Sequence, residues 1–108
     1  MTQHTAPSDF GPVEDHPEQG QFHLQVAGQT AFIAYRVVDG AVMMTHTEVP
    51  ESLEGQGVGS ALVGGALDQL RERGQQLIPM CPFVAAYLQR HREYVDLVQP
   101  EQRGVFGL

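Results

Sequence analysis

The first half of the chain carries three stretches with the pattern of β-strands. Residues 21–27 alternate between apolar and polar side chains, as expected of a strand that buries one face. Residues 31–38 are rich in β-branched and aromatic side chains, and residues 42–49 continue this pattern. Gly28-Gln29 joins the first pair, and Asp39-Gly40 is typical of a type I′ hairpin turn. The pattern predicts an antiparallel meander.

The second half of the chain changes to helical spacing. Apolar residues recur every four positions over 58–73, and Gly74 follows as a helix stop. A short apolar run at 76–81 predicts a fourth strand, and Pro82 begins a second helix. The apolar stripe of that helix is predicted from Phe83, Val84, Tyr87, Leu88 and His91.

A strand, a helix and a strand within a few tens of residues imply a right-handed crossover and a parallel pair. The fold class is therefore predicted as α/β (α+β), with a strand meander followed by a β-α-β parallel crossover and a C-terminal helix. The chain of 108 residues is expected to hold one small domain over 20–99. Residues 1–19, rich in proline and acids, predict a flexible tail, and residues 100–108 predict a loose second tail.

Composition narrows the class of protein. The formal net charge of −7 argues against a nucleic-acid binder, which usually has a basic face. The single cysteine excludes an internal disulfide and favours a cytoplasmic location. Cysteine and histidine lack the paired spacing of a zinc site, so no metal is expected. No signal peptide is visible and no apolar run approaches about 18 residues, so no membrane partner is expected.

The densest chemical signal lies at Val49–Ala61, where glycines alternate at Gly55, Gly57 and Gly59. Pro50 ends the preceding strand because it has no N–H for the ladder. A helix opens directly after the glycines. A strand, a glycine loop and a helix N-terminus together expose backbone N–H groups, which form a cradle for a phosphate.

Two familiar phosphate-binding patterns fail on required residues. The Walker A pattern needs a lysine where Gly65 stands. The dinucleotide fingerprint needs a third glycine where Ser60 stands, and an acid about 20 residues on that is absent.

The loop does resemble the acetyl-CoA loop of the GNAT N-acetyltransferase superfamily, whose Arg/Gln-x-x-Gly-x-Gly/Ala pattern binds the pyrophosphate. Gly57 and Gly59 match it, whereas Glu54 stands where arginine or glutamine is usual. The run I-P-M-C-P-F-V-A-A-Y-L, followed by H-R-E-Y, resembles the short, YjdJ-type members. The resemblance covers roughly 20–98 and implies acetyl-CoA as co-substrate. The residues it implies for cofactor binding are Val49, Gln56, Gly57, Val58, Gly59, Ser60 and Ala61.

The predicted topology brings Cys81 close to the glycine loop, because neighbouring parallel strands end at the same edge. In the superfamily the gap between these strands holds the pantetheine arm. Three interpretations of Cys81 stay open: a buried apolar residue, a wall of the thioester site, or a nucleophile favoured by the following helix N-terminus. Tyr87 is the candidate acid for the leaving thiolate, since it lies roughly where the superfamily has such a tyrosine. It is equally compatible with a core position.

Other polar residues have weaker claims to a role. His46 and Glu48 could act as a base but fit a solvated face better. His91 fits a core or capping role, and Arg90 and Arg92 could reach a 3′-phosphate but are more often only solvated.

Two functions therefore compete. The first is an acetyl-CoA-dependent N-acetyltransferase that acts on an unidentified amine, for which Cys81 and Tyr87 are the catalytic candidates. The alternative is a non-catalytic module that binds CoA or acetyl-CoA and acts as a sensor or partner-binding protein.

Only two residues, Gly28-Gln29, replace the helices that normally wall the acceptor site in the superfamily. An open acceptor side is compatible with an amine on a peptide or protein as the acceptor, and also with a protein that has no acceptor substrate. The sequence leaves the oligomeric state open.

Overall fold

The computed structural model describes residues 10–108, which form a five-stranded mixed sheet with helices against it. The strands are β1 Glu14–His16, β2 Gln21–Val26, β3 Gln29–Val38, β4 Ala41–Glu48 and β5 Leu77–Pro79. The α-helices are α1 Val58–Arg73, α2 Pro82–Arg90 and α3 Pro100–Arg103. Short 3₁₀ helices lie at Glu51–Leu53, Arg92–Leu97 and Gly104–Phe106. In residues 10–108, no helix is both long enough and apolar enough to cross a bilayer.

The strand order is β1-β2-β3-β4-β5, which confirms the predicted mixed α/β fold. β1 to β4 pair antiparallel, and α1 carries the chain across to β5, which pairs parallel to β4. Asp39 and Gly40 both have positive φ, as a type I′ turn requires. The turn before β3 lies at Ala27-Gly28, one residue earlier than predicted, because Gln29 already pairs with Val26.

The core lies between one face of the sheet and helices α1 and α2. α1 contributes Leu62, Ala66 and Leu70, as the four-residue spacing predicted, and its Val63 and Leu67 are also fully buried. Phe22 and Leu24 of β2 and Val42 and Met44 of β4 face these helices from the sheet and are almost fully buried. Helix α1 is therefore held by apolar contacts along most of its length, which fixes its N-terminus relative to the end of β4.

The boundary predicted for the N-terminal tail is wrong, because residues 14–16 form β1. The Asp15 carboxylate accepts hydrogen bonds from the Tyr35 hydroxyl at 2.6 Å and from Arg73 at 2.8 Å. Gln69 donates to the Val13 carbonyl at 2.7 Å. These partners come from distant parts of the chain, so no local pattern signals the strand. Residues 1–9, the rest of the predicted tail, lie outside the described residues.

The predicted C-terminal tail is also structured. Residues 100–106 form α3 and a 3₁₀ turn, and the Arg103 side chain donates to the Val98 carbonyl at 2.9 Å. Phe106 and Leu108 are partly buried against the core. The folded unit therefore extends from β1 to the last residue.

A bulge in β4 decides which side chains reach the site. Ala34 pairs with His46 and Tyr35 pairs with Met44, so Thr45 has no partner residue on β3. Before the bulge Val42 and Met44 face the core. After it the inward positions shift by one residue, so that Thr47 is half-buried while His46 is exposed. An inserted residue exchanges the two faces of a strand, which is why bulges often lie next to functional sites.

Candidate functional site

The site begins where β4 and β5 part. Their pairing ends at Met44 and Pro79, and the last bond between the two segments runs from the Cys81 N–H to the Met44 carbonyl at 2.9 Å. Beyond this point β4 continues while the other chain turns into α2. A pocket of about 380 Å³ opens in the gap. Its lining residues are Thr47, Val49, Leu53, Glu54, Gly55, Gly57, Val58, Gly59, Ser60 and Phe83.

Two glycines shape the mouth of this pocket. Gly55 and Gly57 both have φ of +84°, a left-handed conformation that residues with a Cβ rarely adopt. A Cβ placed on either residue would meet no atom within 4 Å, so it would project into open space. Because both residues line the pocket, this open space is available for a ligand to approach the backbone closely.

The N-terminus of α1 supplies hydrogen-bond donors to the same space. Gly57 caps the helix without a side-chain hydrogen bond, and the first helical bond runs from the Ala61 N–H to the Gly57 carbonyl at 3.0 Å. The N–H groups of Val58, Gly59 and Ser60 therefore have no helical partner. Together with the helix dipole they form a cradle for an anion such as a pyrophosphate. The residues present thus fit the phosphates of a CoA-type ligand.

Most residues predicted for cofactor binding lie on this lining. Val49, Gly57, Val58, Gly59 and Ser60 all contact the pocket. The other two predicted residues do not line it. The Gln56 side chain turns back to donate to the Ser52 carbonyl at 3.3 Å, and the Ala61 N–H is used inside the helix.

Glu54 brings a negative charge to the pocket wall. It is exposed and lines the pocket beside Gly55. Its carboxylate is the only titratable side chain among the lining residues. The negatively charged carboxylate repels an anion bound to the neighbouring N–H groups, and salt screens this repulsion.

Cys81 lies behind the pocket wall. Its sulfur is 3.3 Å from the Thr47 hydroxyl, and Thr47 itself lines the pocket. The residue is 4% exposed and serves as the N-cap of α2. No charged or imidazole group forms a hydrogen bond with the Cys81 thiol in residues 10–108. The prediction that Cys81 lies close to the glycine loop agrees with this geometry, and its chemical role stays a prediction.

The Tyr87 hydroxyl points at helix α1 and is not part of the pocket lining. A Cβ built on Gly64 would lie 2.7 Å from that hydroxyl oxygen, so Gly64 leaves room for the phenol. The ring stacks on His91, with centroids 4.1 Å apart. Burial, assisted by the negative charge of Asp68, raises the pKa of Tyr87, which makes the phenol a weaker acid. The geometry favours a packing role between α1 and α2 over the predicted role as general acid.

The remaining polar candidates lie away from the lining. His46 and Glu48 face each other at 3.3 Å on the solvated side of β4, and both are mostly exposed. The Arg90 and Arg92 side chains donate to the carbonyls of Ala86 and Leu108 at 3.4 Å. In the described part of the chain, no cluster of three or more His, Cys, Asp or Glu side chains could hold a metal ion.

Five lining residues are absent from the set predicted to bind the cofactor: Thr47, Leu53, Glu54, Gly55 and Phe83. Thr47 reaches the pocket only because of the bulge at Thr45, and uninterrupted alternation from Val42 and Met44 places it on the opposite face. Phe83 was assigned to the buried stripe of α2, yet it is 40% exposed and reaches across to α1. The change of apolar phase between Met44 and Val49 is a signal that could have revealed the bulge.

Comparison with known proteins identifies this arrangement. The family model described as GCN5-related N-acetyl-transferase matches residues 21–97, which contain the glycine loop and Cys81. The chain belongs to the GCN5-related N-acetyltransferase family. The predicted superfamily is thereby confirmed, and the finer likeness to YjdJ-type members stays a prediction.

Relatives of this family member span nearly the whole chain. It is 28% identical to Protein NATD1 of Mus musculus over 93% of the chain and 100% of that protein. It is 27% identical to Protein NATD1 of Xenopus tropicalis, over 87% of the chain and 91% of that protein. The NMR structure of a GCN5-like protein from Staphylococcus aureus matches with a TM-score of 0.63 and 26% identity. That match covers 84% of this chain and 90% of the other.

The buried residues Tyr87 and Tyr94 allow a test of whether each hydroxyl stabilises the fold through a hydrogen bond. Tyr94 donates to Asp68 at 2.6 Å, whereas the Tyr87 hydroxyl forms no hydrogen bond within residues 10–108. Tyr94→Phe is expected to cost about 1–2 kcal/mol of unfolding free energy, because Asp68 loses its partner. Tyr87→Phe is expected to change it by less than about 0.5 kcal/mol. Urea unfolding of both variants measures the difference, and an equal loss in both would contradict the assignment of Tyr87.

Proposed function

We propose that this family member is an acetyl-CoA-dependent N-acetyltransferase whose acceptor is an amine on a peptide or protein. The observation that carries the proposal is that one pocket is lined both by the residues with free N–H groups at the start of α1 and by Thr47, whose hydroxyl lies 3.3 Å from the Cys81 sulfur behind the wall. An anion cradle and a narrow gap between parting strands are the two features that a phosphate with a long thiol arm needs. Membership of the GCN5-related N-acetyltransferase family supports the same function.

Backbone groups would hold most of the ligand. The N–H groups of Val58, Gly59 and Ser60 suit the pyrophosphate, and Gly55 and Gly57, whose positive φ favours glycine, place no side chain in its way. Val49 and Leu53 add apolar surface for the arm. Acetyl-CoA, when bound, supplies an activated acetyl thioester. Thr47 and Cys81 lie together at the strand end where that thioester is proposed to sit.

The acceptor is proposed to approach from an open side. β2 and β3 are joined by the two-residue turn Ala27-Gly28, so this connection adds no helix to that side of the sheet. A direct transfer needs a neutral amine, hence a group or a water that takes its proton. Glu54 is the one carboxylate on the lining, but it lies beside the anion cradle, so water is proposed to take the proton at the Thr47 end.

A second candidate function is CoA binding without catalysis. The observation that favours it is the scarcity of proton-transfer groups, since Glu54 is the only titratable residue on the lining and Cys81 is almost fully buried. The two functions differ in turnover. An acetyltransferase releases free thiol from acetyl-CoA when a peptide amine is supplied, whereas a binding module binds CoA and releases none.

The first test of the proposal is thermal unfolding with and without acetyl-CoA. Ligand at about 100 times its Kd should stabilise the fold by about 2.7 kcal/mol, which raises Tm by roughly 10 °C. Gly57→Glu is expected to abolish this shift, because the new carboxylate would stand in the anion cradle and its backbone would be strained.

The matched control is Gly40→Glu. Gly40 has φ of +82° with open space around it, and it lies at the opposite end of β4 from the pocket. It therefore carries the same strain and charge change, but the ligand shift should persist. Absence of any shift in the unmodified protein would reject both CoA-based functions. A shift without thiol release over a panel of peptide amines would favour the binding module.

Glu54 provides a second prediction. Glu54→Gln removes the repulsion at the cradle and is expected to tighten CoA binding roughly two- to fivefold at low salt. The gain should fade as salt rises. Glu51→Gln is the control, because Glu51 is exposed nearby but does not line the pocket. Titration calorimetry at two salt concentrations measures both, and equal effects of the two variants would contradict a local role for Glu54.

Cys81 provides a third prediction. Cys81→Ala is expected to lower kcat/KM about tenfold, since the thioester end of the pocket loses the sulfur behind Thr47. No acetylated protein is expected in the intact-mass spectrum of the unmodified chain after incubation with acetyl-CoA alone, because the buried thiol has no base partner within residues 10–108. An acetyl adduct that disappears in Cys81→Ala would instead assign Cys81 as a nucleophile.

A further inference from the structure

The backbone conformation of Gly59 does not require a glycine. It lies in the first turn of α1 with helical geometry, unlike Gly55 and Gly57, whose positive φ excludes most other residues. Glycine is one of the least favourable residues within a helix. Its presence at position 59 therefore calls for an explanation in the surrounding space.

The space beside Gly59 is filled by the Phe83 ring. A Cβ built on Gly59 would lie 2.7 Å from the Cζ atom of Phe83 and 3.2 Å from its Cε2 atom. No real Cβ sits that close to another carbon, so any larger residue at 59 would push the ring away. The ring thus bridges the N-termini of α1 and α2.

This contact lies between the two ends of the proposed ligand path. Phe83 follows Cys81 by two residues, and its ring tip touches the helix turn that carries the free N–H groups. Phe83 lines the pocket together with Thr47 of β4 and Val49, the residue that follows this strand. A chain that runs from the phosphate cradle towards Cys81 would pass between the ring and the strand.

Several features of the ring suit an arm-binding surface. Phe83 is 40% exposed in a helix whose neighbours Val84 and Leu88 are fully buried. An exposed aromatic residue loses water when a ligand covers it, and that burial favours binding. Val49 and Leu53 add further apolar surface to the same pocket.

We infer that the Phe83 ring, seated on Gly59, is the apolar wall that positions the pantetheine arm of CoA. This assignment rests on the proposed function, because it requires a CoA-type ligand. It makes Phe83 a determinant of affinity for the arm rather than for the phosphates. It also explains why residue 59 is a glycine, since a larger residue would displace the ring.

The test compares CoA with its headgroup alone, adenosine 3′-phosphate 5′-diphosphate, by titration calorimetry. Phe83→Ala is expected to weaken CoA about tenfold, the loss of one good apolar contact, and to leave the headgroup within about twofold. Phe83→Leu, which keeps apolar volume, should give an intermediate loss. An equal loss for both ligands, or no loss for CoA, would overturn the inference.

A double-mutant cycle tests the reason for Gly59. Gly59→Ala alone is expected to weaken CoA about as much as Phe83→Ala does, because it displaces the ring. In the Phe83→Ala background the same change should have little further effect, since the space is then free. If Gly59→Ala costs the same in both backgrounds, the ligand itself needs the glycine and the inference about the ring is wrong.

A control variant on the same helix separates a general packing clash from a loss of CoA binding. Gly64→Ala creates a comparable clash on the same helix, with the Tyr87 hydroxyl 2.7 Å from the new Cβ, but off the pocket lining. It should lower Tm while leaving the Kd for CoA within about twofold. If the unmodified protein binds neither CoA nor its headgroup, the proposed function fails. If it binds both and Phe83→Ala changes nothing, only the present inference fails.

Discussion

The parting of β4 from β5 is the feature on which the rest of the site depends. Hydrogen bonding between the two strands stops at Met44 and Pro79, with one further bond from Cys81 to Met44. The bulge at Thr45 contributes by turning the following residues of β4. Without this opening, the free N–H groups of α1 would face a closed sheet. With it, they face a pocket that leads towards Cys81.

Helix α1 shows how one element can serve both packing and the site. Three of its glycines accommodate side chains from elsewhere: Gly59 meets Phe83, Gly64 meets the Tyr87 hydroxyl, and Gly65 meets Val13. Gly64 and Gly65 lie inside the helix, and their neighbours come from α2 and the segment before β1. These glycines therefore let α1 pack closely against peripheral elements rather than against the strands.

The location of charge also shapes what the site can do. The chain is acidic overall, yet its anion cradle is built from backbone N–H groups and a helix dipole and needs no basic side chain. Glu54 acts against that cradle, because it places a carboxylate beside the free N–H groups. Under the proposed function, affinity for CoA would therefore depend on apolar contacts to the arm as well as on the phosphates, which would give Phe83 and Val49 more weight than they would have beside a basic residue.

The sequence by itself determined the elements and the glycine loop. Apolar spacing locates α1 correctly at 58–73, and the alternation of glycines after Pro50 locates the cradle, because both are local effects of side-chain size and backbone freedom. Tertiary structure alone decided two other things, the strand at 14–16 and the direction of Phe83. Each depends on a partner far along the chain, namely Tyr35 and Arg73 for Asp15 and Gly59 for Phe83. Local pattern carries no record of such partners, because the contact forms only when the sheet and helices have assembled.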